Sequence, residues 1–140
     1  MPGGYVIHAQ RSLVLSRGWG DLPDSVFLSH ARALAADPNF HPGMSQLSDL
    51  RSANMQVTPA GVQAVARVNP FGPGAKRAFV TNNDFAFGMA RMYEMRRPPD
   101  AGDAYYVCRS IEEACAWLGL TDDLAWIERE LLGVPPLFNA

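Results

Sequence analysis

Tyr5-Val6-Ile7-His8-Ala9 and Leu13-Val14-Leu15-Ser16-Arg17-Gly18-Trp19 are two β-rich runs joined by Gln10-Arg11-Ser12, a connection short enough for a hairpin. The two strands are expected to pair antiparallel. Downstream, Phe27, Ala31 and Leu34 fall at helical spacing between Leu22 and Ala36, with Pro23 suited to the first turn and Pro38 ending the run. The turn-rich Asp37 to Gly43 delivers the chain to a third strand around Gln46-Leu47-Ser48-Asp49-Leu50. Thr58-Pro59 reads as an N-cap with proline at the first helical position, and Val62, Val65, Ala66 and Asn69 trace one stripe up to Pro70. Ala75 to Thr81 is a fourth strand, Asn82-Asn83-Asp84 caps a third helix running to about Arg97, and Tyr105 to Cys108 is a fifth strand. Ser110-Ile111-Glu112-Glu113 opens a helix as a capping box, and Thr121-Asp122-Asp123-Leu124 opens a last one, terminated by Gly133 and Pro135-Pro136.

A hairpin followed by helices alternating with strands defines an α/β fold. The expected architecture is a mixed, mostly parallel five-stranded sheet opened by an antiparallel hairpin, with helices packed on it through right-handed crossovers. With 140 residues, 48% of them hydrophobic and 19% charged, the chain suits one domain over 1–140 with its core at roughly 5–120. A C-terminal helix over 121–132 and a short tail, expected to be loose or docked only by Leu137 and Phe138, complete it. No internal repeat or low-complexity linker divides it. The net charge of -2 and a pI near 5.8 offer no field for nucleic acid. No apolar run reaches the ~18 residues of a membrane span, and the start lacks the charged and apolar regions of a leader, so a cytoplasmic protein is expected. Cys108 and Cys115 fall on a strand and the following helix rather than in a CxxC pair, as two small buried side chains would.

Four segments carry a resemblance to a known family. They are the hairpin followed by Gly20-Asp21-Leu22, Leu47-Ser48-Asp49-Leu50 leading to a Thr-capped helix, Phe87 to Glu94, and Glu113-Ala114-Cys115-Ala116-Trp117-Leu118. Over roughly Tyr5 to Leu120 the chain resembles the STAS-like domains, the anti-sigma factor antagonist fold, in particular the small stand-alone SpoIIAA-like members. The resemblance implies a non-catalytic regulatory module that acts by binding another protein. In that family a serine at the start of the helix after the third strand is phosphorylated within an Asp-Ser-Ser/Thr-Gly type of motif. The corresponding place here reads Val57-Thr58-Pro59-Ala60, where only Thr58 offers an oxygen and an N-cap role already accounts for it. The resemblance also extends to folds that hold lipids between sheet and helices, which implies as the alternative a small apolar or lipid-like ligand in a methionine- and phenylalanine-lined pocket under the third helix.

Candidate site residues gather at the carboxyl ends of the strands, where open α/β sheets bind ligands. Asp49 and Arg51 follow the third strand, Asn82, Asn83 and Asp84 the fourth, and Arg109 with Ser110 the fifth, and the two guanidiniums suit a carboxylate or phosphate. The structural alternative makes Asn82 or Asp84 and Ser110 caps and pairs Asp49 with a nearby arginine. On the third helix, Phe85, Met89 and Met92 form the expected core stripe, while Phe87 lands opposite between Glu94 and Arg91. Phe87 would sit in water unless it meets the last helix, a second subunit in a homodimer, or a ligand. Phe87, Arg91 and Met92 are therefore candidate partner or ligand contacts. His8, His30 and His41 lack metal-ligand spacing, no GxSxG elbow or Walker loop occurs, and no cofactor is expected. A small hydrolase or transferase using Asp49, Asp84 and Arg109 is the least favoured reading, and no catalytic residue is assigned.

Overall fold

The computed structural model describes residues 2–137. Strands β1 (Gly3–His8), β2 (Leu13–Pro23), β3 (Ser45–Gln56), β4 (Lys76–Val80) and β5 (Ala104–Cys108) form one sheet in sequential order. The β1–β2 pair is antiparallel, and β2–β3, β3–β4 and β4–β5 are parallel, as the hairpin and the alternation require. The hairpin turn is a single 3-10 turn over Ala9–Arg11, closed by Ser12 in the left-handed conformation at φ 51.

Helices α1 (Asp24–Ala36), α2 (Pro59–Val68) and α3 (Asp84–Arg96) are the three crossovers, while α4 (Ile111–Leu118) and α5 (Leu124–Leu132) follow the last strand. Crossovers of one hand that always step to the next strand in one direction place their helices on one face. Accordingly α1 packs on α2 and α2 on α3, leaving the opposite face to α4 and α5. Leu13, Leu15, Leu47, Ala78, Val80 and Cys108 point from the strands toward Ile111, Cys115, Ile127 and Leu131 on that second face. Their odd and even neighbours turn the other way, where Val14 meets Leu34 and Phe71, and Leu50 and Met55 meet Val62 and Ala86. Each fully buried aliphatic side chain contributes about 1.5–3 kcal/mol through burial.

Two strands run further than their sequence suggests. The third strand, expected over Gln46–Leu50, continues to Gln56, and β2 continues past Trp19 to Pro23, so the pair forms a ribbon beyond the point where β4 stops pairing. Its exposed Ser52, Asn54 and Gln56 hide the alternation with buried Ala53 and Met55, which is why apolar content alone ends the strand too early. The first helix starts at Asp24 rather than Leu22, because Leu22 belongs to the ribbon and Pro23 is the N-cap. At the other edge the C-terminal segment crosses β1, with Leu137 N donating to the Gly3 carbonyl at 2.8 Å. A Cβ on Gly4 would fall 2.1 Å from the Pro135 carbonyl oxygen, so only glycine permits that approach. Leu137 is thus docked on β1, and Phe138 lies outside the described residues. Among the described residues no helix is long and apolar enough to cross a membrane.

Candidate functional site

The polar residues expected at the strand ends do converge, but they satisfy one another. Asp49 and Arg51 lie within β3 rather than after it. Arg51 donates through Nε and Nη2 to the two carboxylate oxygens of buried Asp49 at 2.9 and 3.1 Å, and its Nη1 lies 3.8 Å from Glu128 on α5. The bonds to Asp49, against the opposing effect of burial, hold the Arg51 pKa above its usual value. Arg109 Nη2 meets Asp84 at 2.8 Å, and Asn82 Nδ2 donates to the Arg51 carbonyl. Ser110 caps α4 by accepting from Glu113 N at 3.1 Å, as the capping box requires. The cap of α3 is Asn83, which accepts from Ala86 N at 2.9 Å, rather than Asn82 or Asp84. Both guanidiniums at this edge therefore already face a carboxylate.

The faces of α3 also differ from the periodic reading. Ala86 and Ala90 are its buried positions, Met89 and Met92 are half-buried, and Phe85, placed in the core stripe by spacing, is 53% exposed. The two alanines let α3 lie close to its neighbours, which rolls the larger Phe85 outward. Phe87 is half-buried because the Arg109 guanidinium lies over its ring at 4.5 Å. Arg91 pairs with Glu94 at 3.3 Å on the exposed side.

Thr58 is the N-cap of α2, accepting from Gly61 N at 3.1 Å. Asp24 from α1 grips it: Thr58 N and Oγ1 donate to the two Asp24 oxygens at 2.8 and 2.6 Å. A carboxylate thus already lies at the positive pole of α2, and a Cβ on Gly61 would fall 1.9 Å from Asp24 Cγ. Asp24→Ala is expected to destabilise the protein by about 1–2 kcal/mol through the loss of both bonds, measured by urea unfolding. A change under about 0.3 kcal/mol would mean that the clamp is incidental.

The site that the strand-end reading misses lies beneath α1, α2 and α3. A cavity of about 110 Å³ opens there, walled by apolar side chains that include Phe27, Leu50, Met55, Val65, Phe79 and Met89. Its floor is polar. Strand register places Gln46, Arg77 and Tyr105 in one row across the sheet, and Ser16 and Ser48 beside each other in the next. Arg77 Nε donates to Gln46 Oε1 at 3.1 Å, Gln46 Nε2 donates to Ser16 Oγ at 2.9 Å, and Ser16 Oγ is hydrogen-bonded to His30 Nε2 at 3.0 Å. Arg77 Nη1 donates to Asn69 Oδ1 at 3.0 Å, to the Tyr93 hydroxyl at 2.8 Å and to Asp103 at 3.1 Å. Asp103, whose side chain is fully buried, also takes Arg97.

Arg77, Ser48 and Tyr105 line this cavity, and Arg77 Nη2, Ser48 Oγ and the Tyr105 hydroxyl take part in none of the hydrogen bonds among the described residues, whereas the buried polar atoms left without a partner belong to His8, Thr81, Glu94 and Arg97. Burial works against the Arg77 charge, but Tyr93, Tyr105 and Asp103 together hold its pKa above the ordinary value. Burial raises the Tyr105 phenol far above its ordinary range, so it is a donor at every physiological pH. Burial first, and the Arg77 charge second, push His30 down to about 4, so at neutral pH its ring is uncharged.

Sequence reasoning passed over these residues because each was weighed within its own strand or helix. Ser16 and Arg77 stand in their strands beside the charged Arg17 and Lys76, and His30 lies on a helix with no ligand spacing. The signal was available in register: polar residues at inward positions of neighbouring strands form a patch, which a parallel sheet brings together. Cys108 and Cys115 are buried and unpaired, with thiol pKa values raised by burial. Among the described residues no cluster of His, Cys, Asp and Glu could hold a metal. No family model, curated protein or solved structure matches the chain.

Proposed function

We propose that this domain binds a small molecule in the cavity between the sheet and α1–α3. The observation that carries this reading is an apolar-walled cavity whose floor is lined by the polar side chains of Arg77, Ser48 and Tyr105. Apolar walls with a few placed donors are the usual make-up of a ligand site. The volume is near that of an engineered cavity of about 150 Å³ that binds benzene, so the ligand is compact, on the order of six to eight non-hydrogen atoms. Native mass spectrometry of gently purified protein is expected to show added mass beyond the 15.3 kDa chain that is lost on denaturation. Val65→Phe, which fills the cavity from α2, is expected to abolish the added mass while leaving the melting temperature within a few degrees of the parent. Unchanged retention in that variant would place the ligand elsewhere and overturn the reading.

A second reading, a STAS-like regulatory module that binds another protein, is favoured by exposed apolar side chains on α3: Phe85 is 53% and Met95 71% exposed. Phe85→Ser should then abolish a partner complex or homodimer without loss of stability. Unaltered assembly would count against the module.

A further inference from the structure

The charge balance of the cavity floor identifies the ligand class. Arg77 and Arg97 both reach Asp103, and their side chains are only 9% and 13% exposed. Two cations share one carboxylate, so the cluster holds one positive charge in excess. Glu94, the nearby acid on α3, is paired with Arg91. Asp24 and Arg17, of opposite charge, both line the cavity and cancel in the count. His30 is neutral and adds no charge of its own. An uncompensated charge away from water is costly unless it is paired and hydrogen-bonded. The nitrogen of Arg77 that makes no protein hydrogen bond is on the side chain that lines the cavity, as are the free hydroxyls of Ser48 and Tyr105. All three can donate.

Resting on the small-molecule reading above, we propose that the ligand is a small monocarboxylate, its head on Arg77 Nη2 with Ser48 and Tyr105 as further donors and its short apolar body against Met55 and Met89. An anion supplies the missing charge, and a carboxylate accepts several donors at once. A guanidinium held by Gln46, Asn69, Tyr93 and Asp103 is already fixed in place, so little orientational freedom is lost when the ligand arrives.

The test uses the intact protein and matched probes: pentanoate, pentanamide, pentan-1-ol and pentylammonium, titrated at neutral pH and followed by amide NMR. Pentanoate is expected to bind at least about tenfold more tightly than pentanamide, and pentylammonium not at all. Because Arg77 variants disturb the fold, the site is probed with Ser48→Ala and Tyr105→Phe, each expected to weaken pentanoate about tenfold while leaving the amide spectrum folded. Equal binding of pentanoate and pentanamide, or tighter binding of pentan-1-ol, overturns the anion inference and leaves the small-molecule reading standing. If no probe perturbs the cavity residues and native mass spectrometry shows no retained ligand, both fail. Shifts that survive in both hydroxyl variants at full strength would place the carboxylate away from this floor and overturn the assignment.

Discussion

Arg77→Met should lower the unfolding free energy by about 3–5 kcal/mol, the usual cost of removing one partner from a buried charged network. The side chain is 9% exposed and donates to Gln46, Asn69, Tyr93 and Asp103, and its guanidinium also lies 4.2 Å over the Phe71 ring. Methionine keeps much of the aliphatic stem but returns none of those donors. Gln46 and Asn69 would each lose an acceptor contact inside the protein, and Asp103 would keep only Arg97. The effect should spread, because Asn69 is the C-cap of α2 and also accepts from Phe71 N at 3.1 Å, so Arg77 ties the end of α2 to β4. Arg77→Lys should recover little, since a point charge cannot reach acceptors arranged around a planar fork. Arg97→Met provides the comparison: Arg97 is bonded to Asp103 alone, through its carboxylate and carbonyl, so its loss should cost distinctly less. Chemical denaturation of the three variants decides the matter. A loss under about 1 kcal/mol for Arg77→Met would show that the network is not what secures this face.

The architecture was legible because its signals are local. Tyr5–Trp19 announces a hairpin, Thr58-Pro59 and Ser110 through Glu113 announce helix starts, and the alternation of elements then leaves few topologies open. Asp49 and Arg51 lie inside β3 rather than at its end, and the pairing of Asp49 with a nearby arginine is the arrangement the geometry adopts. Phe85 is exposed where the core stripe was expected and Phe87 is half-buried under Arg109, because helical spacing gives a face but not which face a neighbouring helix covers. The cavity floor was illegible for a related reason. Gln46 and Arg77 lie 31 residues apart, and only the register of β3 on β4 makes them one site. Arg77 reads in isolation as a charged residue next to Lys76 at the start of a strand. Its burial depends on Asp103, which belongs to the loop before β5, and on Tyr93 from α3.

Lowering the pH from about 6.5 to 4 should remove about 2–3 kcal/mol of stability that His30 accounts for. In the unfolded chain a histidine titrates near 6.5, whereas in the fold burial and the Arg77 charge push His30 down to about 4. Between those values the unfolded state binds the proton and the folded state does not, so stability rises with pH across the window and is lost as pH falls. Above 6.5 both states are neutral and His30 contributes no slope. Below 4 both are charged and its contribution is fully lost. The groups around the ring make the folded state resist protonation: Ser16 Oγ holds Nε2 at 3.0 Å, the Tyr5 ring packs edge-on at 5.3 Å, and the nearby charge is the cation Arg77. His30→Gln removes the titration, so unfolding curves at closely spaced pH values should run flatter for the variant than for the parent within this window alone. His8 and His41 are common to both proteins and cancel in the difference. Parallel curves would mean that His30 is accessible enough to take its proton without disturbing the sheet. A bound carboxylate beside Arg77 offsets the charge that helps depress His30, so saturating pentanoate should narrow the window by raising its lower limit, tying the acid response of the fold to occupancy of the cavity.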